Sequence, residues 1–215
     1  HLEVYTSYPY ANPWGRVFDQ WGNHFIADAS GGANYFANPM SGRMAYGQKH
    51  KGMKVFTSVV RPTCGVEFLK SRHFPEEVQG LFLVNNNIGF QGIKQHQVFE
   101  KEAGFESEDL GSFLQSSNPN FRPVDLQIGP DGALYVVDWY NPLIGHMQHS
   151  MRDSMRDQSH GRIWRITYND KRLLEAQDLS KESINNLLAL LDTYEDRVKY
   201  RARRALWQRP KDEVL

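Results

Sequence analysis

The sequence predicts a mainly β chain: a partial β-propeller of about three blades from a ring of about six, followed by a short α-helical, HEAT-like hairpin. Three observations carry this. The first is a repeat in which "NPWGRVFDQWGNHFIADAS" from Asn12, "RPTCGVEFLKSRHFPEEVQGLFLVNNN" from Arg61 and "RPVDLQIGPDGALYVVDWYN" from Arg122 share one order of parts. Each has a Pro (Pro13, Pro62, Pro123), an apolar strand, a turn ending on Gly (Gly22, Gly80, Gly132), and a second apolar strand that closes on Asp28, Asn86 or Asp138. The second observation is a later alternating strand in each unit. The third is a switch from strand to helix periodicity after Asn169.

Taken in order, the first unit supplies "GMKVFTSVV" from Gly52 as its later strand, the weakest of the three. The middle unit carries an insertion, "RHFPEEVQ", before its turn Gly, and then "GIKQHQVF" from Gly92 to Phe99. In the last unit Pro-Asp-Gly turns the chain and "GRIWRITY" from Gly161 to Tyr168 follows a long polar loop. Strand, turn, strand, loop, strand, repeated with insertions, is a blade pattern, so three four-stranded blades are expected up to residue 169. Three blades do not close a ring, and their outer faces need neighbours from the rest of a longer chain or from a partner.

Residues 170–179 read as a linker and 180–215 as the start of a HEAT-like segment. Ser180 is placed to cap a helix, with Ile184, Leu187, Leu188 and Leu191 on one face. After "DTYED", the residues Val198, Ala202, Ala205 and Leu206 fall at helical spacing, and Pro210 ends the segment. A helical hairpin packed on the propeller is the other reading of this tail.

Composition narrows the function classes. The 215 residues balance 25 Lys and Arg against 25 Asp and Glu, which argues against a nucleic-acid binder held by bulk charge. No apolar run is long enough to span a membrane as a helix. The single Cys, Cys64, excludes an intrachain disulfide, a Cys-rich zinc site and a covalently attached haem within this chain. The opening "HLEVYTSYPY" has neither a signal-peptide nor a tag pattern, so the chain reads as a piece of a longer protein.

The densest polar cluster runs from His146 to Arg162. His146, His149, Asp153 and Asp157 would share a face if this loop were helical and would then suit a divalent metal. Two other readings stand beside it: Arg152, Arg156 and the Asp residues pair with each other on a propeller rim, or the loop, with His160, contacts substrate or a partner. Trp139 and Tyr140, just past a strand end, suit stacking on a sugar ring. Asp28 and Asp138 either cap strand ends by accepting backbone N–H bonds or touch calcium or a cofactor at the channel mouth.

The segments "NPWGRVFDQWGNHFIAD", "GVEFLKSRHFPEEVQGLFLVNNNIGFQGI" and "RPVDLQIGPDGALYVVDWYNPLIGHMQH" with "GRIWRITY" resemble a family of membrane-bound dehydrogenases of planctomycete-type bacteria. Its propeller is similar to that of soluble sugar dehydrogenases dependent on pyrroloquinoline quinone (PQQ). "DRVKYRARRALWQR" resembles the HEAT-type segment that follows the propeller in those proteins, which often also carry a cytochrome c domain. The resemblance implies an extracytoplasmic bacterial sugar or alcohol dehydrogenase with PQQ and calcium, passing electrons to a cytochrome.

Carried over by residue, the quinone-holding Arg-Asn-Pro reads Ala11-Asn12-Pro13 here, keeping the Asn and losing the Arg, and Arg-x-Arg-Asp reads Arg122-Pro123-Val124-Asp125, keeping one Arg. The corresponding Lys has no counterpart in "NNNIGFQG". The resemblance thus implies Asn12, Arg122 and Asp138 as cofactor contacts and puts the general-base His in an earlier blade, outside this chain. A second function fits the same residues: a propeller and solenoid scaffold, or a carbohydrate-binding module, without redox chemistry.

Overall fold

The computed structural model describes residues 8, 10–37, 40, 53–56, 61–145 and 148–214. Strands β1 (Pro13–Phe18), β2 (His24–Asp28), β3 (Asn34–Phe36) and β4 (Met53–Phe56) form one sheet in that order. A second sheet runs β5 (Thr63–Leu69), β6 (Leu81–Asn86), β7 (Gly92–Lys101) and β8 (Gly104–Gln115). The third consists of β9 (Pro123–Ile128), β10 (Leu134–Asp138) and β11 (Arg162–Ile166), again in chain order. Each strand lies beside its sequence neighbour, the meander of a propeller blade, and the chain is mainly β with a partial propeller-like fold. The antiparallel register sets Phe25 opposite Phe36 and Phe82 opposite His96.

One expectation is corrected here. The third sheet has three strands rather than four among the described residues. The chain after β11 reads "TYNDKR", polar and without alternation, and turns away without forming a fourth strand.

The chain divides into two compact units, one of residues 1–68, 80–126 and 136–164, the other of 69–79, 127–135 and 165–215. In the first unit, Val17, Phe25, Ala27 and Phe36 of the first sheet pack against Val66, Phe82 and Val84 of the second. The Phe25 ring meets Phe68 edge-on with centroids 5.3 Å apart and Phe105 at 5.0 Å. Phe25 and Phe82 are fully buried, and each contributes about 2–3 kcal/mol of hydrophobic stabilisation.

The first strands of the sheets approach too closely for side chains. A Cβ on Gly15 would collide with the Cys64 carbonyl, and one on Gly65 with the Asp125 backbone. The turn glycines Gly22, Gly80 and Gly132 all have positive φ, at 85°, 74° and 80°, the conformation in which a side chain is strained.

The second unit explains the insertion in the middle repeat. Residues 72–79 pack with the chain's helical tail, where α1 (Ile184–Ala189), α2 (Asp196–Trp207) and α3 (Lys211–Val214) lie. The Arg72 guanidinium grips Glu195 through two 2.7 Å bonds, and Lys70 reaches Asp196 at 3.3 Å. Buried His73 accepts the Tyr168 N–H on Nε2 at 2.9 Å, which leaves Nδ1–H to donate to the Arg172 carbonyl at 3.1 Å. Leu179, Leu187, Ala202 and Leu206 form the tail's own core.

Two details of the tail differ from expectation. Ser183, not Ser180, caps α1, accepting the Asn186 N–H, whereas Ser180 lies in a short 3-10 turn and donates its hydroxyl to Asp178. Leu188 is exposed, because α1 tightens into a 3-10 turn at Leu190–Asp192 and turns Leu190 and Leu191 inward in its place. Residues 170–179, expected as a linker, fall within the second unit. Among the described residues no helix is long and apolar enough to cross a membrane.

Candidate functional site

The repeated strand-end residues share one local task. Asp28, at the end of β2, accepts the Asn12 N–H at 2.8 Å and the Ala11 N–H at 3.2 Å. Asp138, at the end of β10, accepts the Arg122 N–H at 2.8 Å. Both carboxylates thus tie the entry of a blade's first strand to the exit of its second. Asn86 does this in reverse, donating to the Pro62 carbonyl at 2.8 Å while its Oδ1 accepts from Phe90 and Gln91. The strand-capping reading of Asp28 and Asp138 is therefore visible in the bonds themselves.

Asp138 does more than Asp28. Its side chain is fully buried, and besides Arg122 it accepts from the Tyr140 N–H at 2.9 Å, Arg162 Nε at 2.7 Å and Trp164 Nε1 at 2.9 Å. The Arg162 guanidinium carbon lies 4.0 Å from the Tyr140 ring centroid and 4.9 Å from that of Trp164. Tyr140 holds a left-handed backbone with φ 53°, and its ring meets His160 with centroids 5.8 Å apart. The result is a stack of Trp164, Arg162, Tyr140 and His160, anchored on one buried carboxylate.

His160 ends the stack at the surface. Its Nδ1 lies 2.8 Å from Asp157 Oδ2, so a neutral ring bonded there as donor turns Nε2, an acceptor, toward solvent. The backbone N–H of Ser159 and the His160 bonds hold the Asp157 carboxyl down to about 2. Asp157 therefore stays ionised and can orient the imidazole.

The loop between β10 and β11 is a run of turns rather than a helix, so the helical face expected for His149, Asp153 and Asp157 does not form. Ser, Asp and Gly every few residues favour turns by bonding the local backbone, as Asp153 does to the Met155 N–H. Buried Arg156 organises the loop by donating to the carbonyls of Leu143, Gly145, His149 and Ser150. His149 and Arg152 are exposed, with no convergence on Asp153, and His146 lies outside the described residues. Among the described residues no three His, Cys, Asp or Glu side chains gather to hold a metal, and Asp28 and Asp138 accept protein donors instead.

Arg122 also has interior partners. Its guanidinium donates to the carbonyls of Asn141, Asn87 and Pro142 at 2.8, 2.9 and 3.0 Å, and the residue is 8% exposed. Burial lowers its pKa, against the pull of Asp138. It does not face outward as a cofactor contact, because the loop after β10 folds its carbonyls over it. Of the three residues expected to hold a cofactor, Asn12 alone is exposed. Trp139 is exposed beside the stack.

Sequence reasoning missed Arg162 and Trp164. Both stand in "GRIWRI", and the signal was an Arg and a Trp at alternate positions of a strand immediately after the polar loop.

Fold and site together define a class: propeller-like blades carrying a polar, aromatic rim at one strand end. Over residues 36–170 the chain matches the model of a domain of unknown function, DUF7133, and it belongs to that family. No curated protein matches it. Among solved structures it is similar to a Thermus thermophilus protein provisionally described as an oxidoreductase (glucose dehydrogenase), at 19% identity and a TM-score of 0.42. That match covers 72% of this chain and 43% of the other, so this chain spans less than half of that protein's length.

Proposed function

We propose that this chain supplies blades to a dehydrogenase-like β-propeller acting on sugars or other alcohols outside the cytoplasm, and that its own part is to bind substrate at the rim. The observation behind this reading is the stack that ends on His160. A carboxylate-oriented imidazole acceptor, exposed Trp139 and the Tyr140 ring lie at one strand end, which suits hydroxyls and the apolar face of a sugar ring. The segments resembling sugar dehydrogenases support the same substrate class. In this reading the other blades come from the rest of a longer chain or from a partner, and a cytochrome c domain takes the electrons.

PQQ and calcium do not fit the residues expected to hold them here. A tricarboxylate quinone needs several free cationic donors. The Arg122 guanidinium is bonded to three carbonyls, and the Asp138 carboxylate accepts four donors. If the protein uses a quinone, it is held by residues other than Arg122 and Asp138. The same observation favours a second reading, a carbohydrate-binding scaffold without redox chemistry.

The test is dye-linked oxidation of a sugar and polyol panel by the intact protein, with and without added PQQ and calcium, alongside its absorption spectrum and direct sugar binding. Turnover that falls at least tenfold in Trp139→Ala and His160→Ala supports the dehydrogenase reading. Binding without turnover supports the scaffold. Neither binding nor turnover across the panel overturns both.

A further inference from the structure

We propose that Asn85 and Asn87, at the end of β6 where the Asn87 carbonyl accepts from Arg122, form an internal site for ordered water. Asn85 sits in β6 and is 0% exposed, and Asn87, just past the strand end, is 4% exposed. Three of their side-chain atoms, Asn85 Oδ1, Asn85 Nδ2 and Asn87 Oδ1, are buried and bond to no described protein group. Asn86 between them is fully bonded on both ends of its carboxamide, so the local chain is able to satisfy an amide where the fold asks it to. Native proteins leave few buried polar atoms unpaired, and three on two side chains two residues apart call for a guest.

The donor and acceptor inventory selects that guest. The site presents one amide donor group and two amide acceptors, and exchanging the O and N of Asn85 leaves the same set. A cation would face the Asn85 N–H groups and lie near Arg122, whose Nη1 donates to the Asn87 carbonyl at 2.9 Å. An anion would face two carboxamide oxygens. Water both donates and accepts, and buried waters usually make about three hydrogen bonds to groups of this kind. Bound there, it joins the end of β6 to the carbonyl cage around Arg122 and hence to the entry of β9. The site is independent of any sugar or quinone.

The experiment compares the intact protein with its Asn85→Leu variant, which has similar volume and no hydrogen-bonding group. If water bridges the two side chains, the variant strands the Asn87 oxygen and melts at least about 4 °C lower. Oxygen-17 relaxation dispersion should also show at least one long-lived internal water fewer. If the carboxamide has no guest, Leu removes unpaired polar atoms and the melting temperature rises. An unchanged or higher melting temperature, or unchanged dispersion, overturns the site. Should Asn85→Leu fail to fold, Asn87→Ala is read by the dispersion measurement alone, with the same decision.

Discussion

Replacing Asp138 by Asn should cost far more stability than replacing Asp28 by Asn, although the two occupy matching repeat positions. Among the described residues Asp28 accepts two backbone N–H groups, and none of them brings a cation to bond it. Neutralising it weakens two charge-assisted bonds and turns one amide edge toward a donor, at a cost of about 1–3 kcal/mol. Asp138 accepts the N–H groups of Arg122 and Tyr140, the Trp164 indole and Arg162 Nε, with its side chain fully buried. Asn there leaves the Arg162 guanidinium, only 27% exposed, without its counter-charge, and breaking such a pair costs about 3–5 kcal/mol. For a chain of this size that corresponds to a fall of roughly 6–20 °C in melting temperature. Urea unfolding of the intact protein and the two variants, followed by tryptophan fluorescence, measures the difference. Equal losses, or a loss at Asp138 below about 1 kcal/mol, would refute the claim that this carboxylate anchors the aromatic stack.

Two further predictions concern the propeller core. Gly65→Ala should destabilise by about 1–3 kcal/mol, because its Cβ would press into the Asp125 backbone, and a neutral result in the same urea assay contradicts the close approach of β5 and β9. Burial first, then Arg16, pushes His24 down to about 4, below the unfolded value of about 6.5. Between those values the unfolded chain holds a proton that the folded chain does not. Stability is therefore complete above about pH 6.5 and falls as the pH drops toward 4, at up to about 1.4 kcal/mol per pH unit. Urea midpoints from pH 7.5 to 4.5 should show that slope, and His24→Gln should flatten it; a slope unchanged by the substitution removes His24 as the cause.

The blade pattern was legible because its signals are local. Pro before the first strand, Gly in the turn and Asp or Asn at the second strand's end each meet a backbone requirement within a few residues, as the positive φ of Gly22, Gly80 and Gly132 shows. Asp28 could be read as a cap for the same reason. What stayed hidden depends on pairings far apart in sequence. Nothing local says that Gly65 will face Asp125, that Arg122 will be enclosed by Asn87, Asn141 and Pro142, or that Arg162 will return to Asp138. Ser180 and Ser183 both precede an apolar helical pattern. Only the bond from Asn186 N–H to Ser183 Oγ decides between them.

The second unit also bears on the order in which the molecule can be completed. Its parts lie at residues 69–79, 127–135 and 165–215, and the Arg72–Glu195 clasp spans 123 positions. A ribosome that has reached residue 170 has already released Arg72, but has not yet made Glu195. Until synthesis reaches the helices, the Arg72 side chain waits in water for a partner that does not yet exist, and closing so long a loop is slow. A cut at the apparent seam between strands and helices would fix the protein in that unfinished state. The seam in the sequence is therefore not a seam in the structure.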